Sequence, residues 1–159
     1  MLSFRPMSRE DIPFFNETRN ECKEFLHTDK AFTIEQSYDW FDKTNPSFYM
    51  IIKNNTPVGY FRTSYTNKEH KFMSVGADLN SKYRGLGYAK EAYPKFMKQM
   101  NIQHGVNLFF LEVLSHNIVA KTLYDKLGFV VFGKREHDIR NGQLIESISM
   151  VYRMNESEK

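Results

Sequence analysis

A glycine-rich turn, Arg84-Gly85-Leu86-Gly87-Tyr88-Ala89, joins an apolar run that predicts a strand to a segment that predicts a helix. Glycines let the backbone approach a ligand closely, and the N–H groups of a first helical turn have no partner within the helix. This combination favours an anion, and a phosphate or pyrophosphate fits it. The turn lacks the endings typical of nucleoside-triphosphate and dinucleotide loops. The alternative is an ordinary strand-to-helix turn.

A carboxylate, Glu112, interrupts the apolar run from Asn107 to Leu114. Burying an unpartnered carboxylate is costly, and burial raises the pKa of a carboxyl group, which makes it a better base near neutral pH. Glu112 is therefore a candidate general base. In the alternative, its side chain faces solvent or pairs with a cation such as Arg135.

Local signals predict the elements of the first half of the chain. Ser8 opens one helix, and Thr33-Ile34-Glu35-Gln36 is a capping box that opens a second helix, to about Phe41. Four strands are predicted, the middle two joined by a hairpin turn: Leu2 to Arg5, Phe48 to Lys53, Val58 to Tyr65 and Lys71 to Leu79.

The second half predicts a helix over about 87–101, with a kink at Pro94, and a strand over 107–114. Helical spacing gives the first of these a buried face of Ala89, Ala92, Tyr93, Phe96 and Met100. A helix over 117–127 ends at Gly128 and has Val119, Leu123 and Leu127 on one face. Strands follow from 129 and over 144–154, around the turn Asn141-Gly142. This order predicts an α/β (α+β) fold with a mixed, mostly antiparallel sheet of about seven strands flanked by about four helices. One pair next to the glycine turn is parallel.

The composition indicates the number of domains and limits the partners and cofactors that we expect. The 159 residues, 41% hydrophobic, predict one domain over 1–154 and a polar tail over 155–159. A net charge of +3 is too small to indicate nucleic acid as a partner. Since no apolar run spans a bilayer, we expect no membrane contact, and the single Cys22 favours a cytoplasmic location. The five histidines lack metal-ligand spacing, so we expect no metal.

A second motif follows the strand that carries Glu112: Asn117 to Phe129 has the pattern N-x-x-A-x-x-L-Y-x-K-x-G-F. Together with R-x-x-G-x-A in the glycine turn, it resembles the GNAT superfamily of acetyl-coenzyme A-dependent N-acetyltransferases. The motifs cover about residues 77–129, and the predicted order of strands and helices is also that of the family. The resemblance implies a GNAT-like fold and acetyl-coenzyme A as co-substrate, without a metal.

The resemblance also implies roles for individual residues. The pyrophosphate of coenzyme A would be bound by backbone N–H groups of Arg84, Gly85, Leu86, Gly87, Tyr88 and Ala89. The strand end Ala77-Asp78-Leu79 would pair its backbone with the pantetheine arm, and Asn117 would hydrogen-bond the pantetheine or the phosphate region. Tyr124 would protonate the leaving thiolate. In the ribosomal-protein alanine acetyltransferase branch, the glutamate that matches Glu112 is the general base.

The acceptor stays open at this point. The resemblance implies a primary amine, and a small amine or an amino sugar is favoured slightly over a protein N-terminus. The reason is a set of aromatic residues that could stack on a compact substrate, although such residues are more often core: Phe14, Phe15, Phe25, Phe32, Tyr38, Trp40 and Phe41. We expect a monomer or a homodimer. A non-catalytic acyl-coenzyme A-binding module and a nucleotide-binding regulator are the alternatives from other classes.

Overall fold

The computed structural model describes residues 1–23, 30–67, 69, 71–140 and 142–154. The predicted tail over 155–159, Phe25 and Asn141 lie outside the described residues. Seven strands are described: β1 (Leu2–Pro6), β2 (Tyr49–Lys53), β3 (Thr56–Asn67), β4 (Phe72–Leu79), β5 (Leu108–Leu114), β6 (Val130–Arg140) and β7 (Gln143–Arg153). Four α-helices are described: α1 (Ile12–Glu21), α2 (Ile34–Thr44), α3 (Tyr88–His104) and α4 (Ile118–Leu127).

The strands form one sheet in the order β1-β2-β3-β4-β5-β7-β6. β1 pairs with β2, β2 with β3, β5 with β7 and β6 with β7, each in antiparallel orientation. β4 and β5 are parallel, with Phe72 to Ser74 opposite Leu108 to Phe110. The predicted mixed, mostly antiparallel sheet with one parallel pair and four helices is therefore confirmed.

The chain divides into two compact units, which are described separately. The first unit comprises Met1–Ser64 and Val75–Ala92, and the second comprises Tyr65–Ser74 and Tyr93–Lys159. β3, β4 and α3 contribute residues to both. No helix among the described residues is long and apolar enough to cross a membrane.

Polar anchors fix the entrances to the first two helices. Asp11 accepts hydrogen bonds from the Ser8 N–H at 2.8 Å and from two nitrogens of Arg5 at 2.7 and 2.8 Å. The predicted capping box of α2 is confirmed, because the Thr33 N–H donates to Gln36 Oε1 at 2.9 Å and the Gln36 N–H donates to Thr33 Oγ1 at 3.1 Å. Both arrangements supply partners for N–H groups that a helix start leaves unpaired.

The buried face of α3 in the second unit includes Tyr93, Phe96 and Met100, as the spacing predicts. The helix continues through Pro94 and ends at His104, three residues beyond the predicted end. A proline lacks the N–H that would bond to the carbonyl four residues earlier, so one intrahelical hydrogen bond is absent there.

The predicted face of α4 is wrong at its first position. Val119 is 84% exposed, whereas Tyr124 is buried at 7%. Ala120, Tyr124 and Leu127 share the same three- and four-residue spacing, so the pattern alone does not choose between two neighbouring stripes. The predicted end of α4 is confirmed, since Gly128 has a φ of +99° and its N–H bonds to the Asp125 carbonyl at 3.2 Å.

Candidate active site

A buried amide fixes the point where the chain leaves β4. Asn80 is 1% exposed and precedes a single 3-10 turn over Ser81–Tyr83. Its backbone N–H donates to the Val58 carbonyl at 3.0 Å, and its side-chain oxygen accepts from the Lys82 N–H at 3.3 Å. Its Nδ2 donates to Thr18 Oγ1 at 3.1 Å. These hydrogen bonds anchor the chain immediately before the glycine turn.

Gly85 and Gly87 give the turn its shape, because they lie in the left-handed backbone region at φ of +74° and +82°. A residue with a side chain adopts that region at a cost of about 1–2 kcal/mol. A Cβ added at either glycine would meet nothing within 4 Å, so the backbone here is open to a ligand. α3 begins at Tyr88, and the Glu91 N–H bonds to the Gly87 carbonyl at 3.1 Å. The turn therefore has the form of the predicted anion site.

The Arg84 side chain points back into the first unit and stabilises the turn. Its Nε donates to the Leu79 carbonyl at 3.1 Å, and its Nη2 donates to Cys22 Sγ at 3.1 Å. Burial, with the nearby Asp78 carboxylate, raises the pKa of the Cys22 thiol to about 11, so the thiol stays protonated. Cys22 is thus a structural contact for Arg84.

The predicted pantetheine-binding segment, Ala77-Asp78-Leu79, ends β4 and is held closely by β3. Asp78 is 6% exposed and accepts hydrogen bonds from Arg62 at 3.1 and 3.4 Å. A Cβ added to Gly59 would lie 2.4 Å from the Asp78 carbonyl oxygen, so β3 approaches this segment without space for a side chain. The Leu79 carbonyl accepts from Arg84, which leaves that oxygen less available to a ligand.

Tyr124 in the second unit shares a buried hydrogen bond with Tyr93, at 3.0 Å between the two hydroxyl oxygens. The rings meet edge to face at 5.4 Å, and Phe129 packs against both. Either hydroxyl can donate, so the pair can pass a proton along one hydrogen bond. Tyr93 was predicted only as part of a buried helix face. The sequence could have indicated a polar role for Tyr93, because a tyrosine on an apolar helix face buries a hydroxyl that needs a hydrogen-bond partner.

Glu112 lies in mid-strand, as predicted, but its surroundings match the alternative that pairs it with a cation. Its carboxylate contacts Arg135 at 2.9 Å and accepts a hydrogen bond from Ser147 at 2.5 Å. Its side chain is 29% exposed. Both contacts favour the ionised carboxylate. No group of three or more candidate ligand side chains that could hold a metal ion occurs in the ranges that the structure describes.

Asn117 caps α4. Its Oδ1 accepts a hydrogen bond from the Ala120 N–H at 3.3 Å. The predicted ligand-binding asparagine therefore also has a local structural task, because it satisfies one of the unpaired N–H groups of the helix start.

The predicted site residues divide between the two units. The first unit holds the anion site and the segment before it: Ala77, Asp78, Leu79, Arg84, Gly85, Leu86, Gly87, Tyr88 and Ala89. The second unit holds the candidate proton-transfer residues and the helix cap: Glu112, Asn117 and Tyr124. The predicted anion-binding residues and the candidate proton-transfer residues thus belong to different units.

A cavity of about 170 Å³ in the first unit was not predicted. Part of its wall is aromatic, and Phe15, Phe32 and Trp40 belong to the aromatic set expected to stack on a substrate. Its lining also includes polar groups: two arginines and a tyrosine hydroxyl, which come from α1 and β3. The described residues that line it are Phe15, Arg19, Phe32, Ser37, Trp40, Phe48, Tyr60 and Arg62.

The open sheet with its parallel pair of β4 and β5 and the glycine turn before α3 agree with the family comparison. Residues 1–130 match the model of the acetyltransferase (GNAT) domain. The chain therefore belongs to the GNAT acetyltransferase family, as its two motifs predict.

Individual relatives resemble this chain in sequence or in structure. The human N-acetylaspartate synthetase is 26% identical over 125 residues, which are 79% of this chain and 39% of that protein. The chain thus spans about two fifths of the length of this curated relative. A putative acetyltransferase from Salmonella typhimurium, solved with its cofactor acetyl-CoA, has a TM-score of 0.77 and 13% identity, covering 98% of this chain and 95% of that chain. A mutant of the spermidine N-acetyltransferase SpeG from Vibrio cholerae has a TM-score of 0.83 and 16% identity, covering 96% and 93%.

Proposed function

We propose that this chain transfers the acetyl group of acetyl-coenzyme A to a primary amine. The observation that carries the proposal is the open backbone turn at Gly85 and Gly87, placed at the start of α3 in a chain of the GNAT family. Such a turn fits the pyrophosphate of coenzyme A, because its N–H groups donate to an anion without needing a cationic side chain. The related Salmonella structure that contains acetyl-CoA supports the choice of cofactor.

In this proposal the first unit binds the cofactor. Backbone N–H groups of residues 84–89 hold the pyrophosphate, while the Arg84 side chain acts indirectly, by holding the turn against Cys22 and Leu79. The backbone of Ala77 and Asp78 meets the pantetheine arm, and Asn117 supplies a side-chain amide to the same cofactor. The carbonyl of Leu79 contributes less, since it already accepts from Arg84.

The chemistry in this proposal needs two proton movements. The amine nitrogen forms a bond with the carbonyl carbon of the thioester, and the carbon–sulfur bond breaks. The departing thiolate takes a proton from the Tyr124 hydroxyl, and Tyr93 holds that hydroxyl in place through their shared hydrogen bond. The amine loses its own proton to a base. Because the amine attacks the thioester directly, no covalent intermediate with the enzyme forms.

Glu112 is the candidate base, and a water molecule is the alternative. Its carboxylate already contacts Arg135 at 2.9 Å and accepts a hydrogen bond from Ser147 at 2.5 Å, so the proton of the amine competes with both partners for the same oxygen. The proposal keeps Glu112 as a base whose effect a pH–rate profile can separate from that of water.

The acceptor in this proposal is a small amine or an amino sugar, and a protein N-terminus is the alternative. Support for a compact acceptor comes from the cavity, whose volume of about 170 Å³ is below the roughly 300–1,000 Å³ of sites for drug-sized ligands. The cytoplasm is the proposed location, since a single buried thiol suits a reducing compartment.

Thiol release and calorimetry together test the proposal. Acetyl-coenzyme A is offered with a panel of small amines, amino sugars, amino acids and peptides, and free thiol is followed in the presence and absence of each. Acceptor-dependent release supports the transferase. Tight binding of coenzyme A without release for any acceptor would instead favour the non-catalytic module, and tighter binding of ATP than of coenzyme A would favour a nucleotide-binding regulator.

A further inference from the structure

The cavity of the first unit contains a buried guanidinium that forms no ion pair with a carboxylate among the described residues. Arg19 lies on α1 and is 6% exposed. Its Nη1 donates to the Lys30 carbonyl at 2.6 Å and to Asn20 Oδ1 at 3.2 Å, and its guanidinium carbon lies 3.6 Å from the centre of the Phe32 ring. The Asp78 carboxylate acts on this cation without a direct ion pair. The neutral partners therefore orient the cation without neutralising its charge.

A second polar group in the cavity is incompletely partnered. The Tyr60 hydroxyl is fully buried and forms no hydrogen bond of ordinary geometry among the described residues, although the Asp78 carboxylate is close enough to act on it. Burial, and then the negative charge of Asp78, raises the pKa of Tyr60 well above its ordinary value, so the hydroxyl keeps its proton. A buried O–H without a well-placed acceptor is unfavourable, and an oxygen of a bound ligand would relieve it.

The other charged group in the lining is already neutralised. Arg62 donates two hydrogen bonds to the Asp78 carboxylate, at 3.1 and 3.4 Å. The pair carries no net charge, so the remaining positive charge of the lining is that of Arg19. Such a cavity attracts an anion and repels a polyamine, whose charges are all positive.

Apart from Ser37, whose hydroxyl is hydrogen-bonded to Asn16, the remaining described walls are aromatic. Phe15 and Trp40 are stacked with their centroids 4.9 Å apart, and Phe48 and Tyr60 are nearly parallel at 6.2 Å. Flat rings of this kind pack against an apolar group of a ligand, whereas the single cation fixes one charged end of it.

We propose that this cavity binds an amine that also bears a carboxylate, with the carboxylate on Arg19 and Tyr60 and an apolar side chain against the aromatic walls. Such a molecule is a free amino acid of moderate size. The proposal rests on the proposed function where it makes this amino acid the acceptor of the acetyl group. Recognition in the cavity itself is a binding event, so it is measurable without acetyl transfer.

Matched ligand pairs test the role of the carboxylate. Calorimetry compares leucine, methionine and phenylalanine with the corresponding carboxamides, which differ only at the group that Arg19 would hold, and includes spermidine. We expect at least one carboxylate to bind about 10-fold more tightly than its carboxamide, and spermidine to bind more weakly than either. Equal binding within every pair, or the tightest binding for spermidine, would overturn the proposal.

Two arginines over aromatic rings provide the variant and its control. Arg19→Met keeps much of the side-chain volume and removes the charge, so the preference for the carboxylate should fall to near unity. Arg9 lies over the Tyr38 ring at 4.4 Å but is exposed and paired with Asp42, so Arg9→Met should keep the preference. A preference that survives in Arg19→Met would contradict the assignment. If Arg19→Met does not fold, Tyr60→Phe, which removes one hydroxyl, should reduce the preference about 3-fold.

Thiol release separates this proposal from the proposed function. Release with amines in general, together with equal binding of carboxylates and carboxamides, would leave the transferase intact and overturn the amino-acid site. Binding that depends on Arg19, without release for any acceptor, would support the site and count against the transferase.

Discussion

The two units of the molecule bury polar side chains very differently. Among the described residues that are both buried and polar or charged, the first unit holds seven: Asp11, Thr18, Arg19, Ser37, Thr63, Asp78 and Asn80. The second unit holds only Ser147. A buried polar group is costly unless it has a partner, so a concentration of such groups indicates either a structural network or a ligand.

Most of the polar groups in the first unit belong to networks that position loops and helix starts, as Asp11 and Asn80 do. Arg19 and Tyr60 are the exceptions, and both face the cavity. The second unit is closer to an apolar scaffold, in which the hydroxyls of Tyr93 and Tyr124 satisfy each other. The comparison suggests that recognition belongs to the first unit and proton transfer to the second.

The largest expected effect tests the second unit. Tyr124→Phe should lower kcat by about 100-fold, because it removes the proposed donor to the thiolate. The affinity for acetyl-coenzyme A should stay within about 2-fold, since the ring is retained. Steady-state kinetics and calorimetry measure the two quantities. Tyr152→Phe, in the same aromatic cluster, is the matched control and should leave both unchanged.

If Tyr124→Phe weakens cofactor binding but leaves kcat unchanged, the assignment of proton transfer to this tyrosine is wrong.

Tyr93→Phe tests the same assignment more finely. That variant removes only the hydroxyl that holds Tyr124, so we expect a smaller loss of kcat, about 10-fold.

Glu112→Gln tests whether the second unit also supplies the base. If Glu112 accepts the proton of the amine, the variant should lose about 10-fold or more in kcat/KM, and the acid limb of the pH–rate profile should shift or disappear. A profile of unchanged shape would reject Glu112 as the base and leave its contact with Arg135 as a structural one. The pH–rate profile of Glu136→Gln, on the edge strand β6, provides a control for the loss of one negative charge.

Gly87→Ala tests the binding side of the comparison. A Cβ strains the left-handed backbone and lies where the pyrophosphate would approach, so the Kd for coenzyme A should rise about 10-fold. Gly142 has a similar φ of +78° and equally open surroundings, and therefore Gly142→Ala carries the same strain away from the turn. Equal effects of the two variants on the Kd would indicate that the glycine turn does not bind the cofactor.

The smallest effect tests the structural networks of the first unit. Burial opposes ionisation of Asp11, but hydrogen bonds from Arg5 and Ser8 outweigh it and lower the pKa of Asp11. A lowered pKa in the folded state stabilises the fold above the unfolded pKa of about 3.9, and this stabilisation is lost as the pH falls through the lower folded value. Asp11→Asn should therefore lower the free energy of unfolding by about 1–2 kcal/mol at pH 7.

Denaturant unfolding of Asp11→Asn at several pH values measures this dependence. The difference from the wild type should shrink as the pH falls below about 4. Asp42→Asn is the control, since its ion pair with Arg9 is exposed and should change stability much less. A difference that is constant with pH would show that the Asp11 charge is not the cause.

Features encoded by neighbouring residues could be predicted from the sequence. The capping box at Thr33 and Gln36, the glycine end of α4 at Gly128 and the glycine turn before α3 each depend on a few adjacent residues. The parallel pair followed from the helix between its two strands. Such features can be predicted from the sequence because the backbone conformation that they require depends on adjacent residues.

Features that depend on distant residues could not be predicted. Arg19 and Tyr60 are separated by 41 positions, and nothing in either neighbourhood indicates that both line one cavity. The contact of Arg84 with Cys22 is of the same kind. On α4, the pattern offered two equivalent stripes, and tertiary packing chose the one with Tyr124. The pairing of Glu112 with Arg135 was one of two alternatives that a mid-strand carboxylate leaves open.

Cys22 is a natural probe for local opening of the first unit. Its thiol is buried, its pKa is about 11, and Arg84 of the glycine turn rests on its sulfur. An alkylating reagent needs an exposed thiolate, so it modifies Cys22 only when this part of the chain opens. Since the chain has no other cysteine, the rate of alkylation in the native protein counts those openings directly, without a label or a mutation.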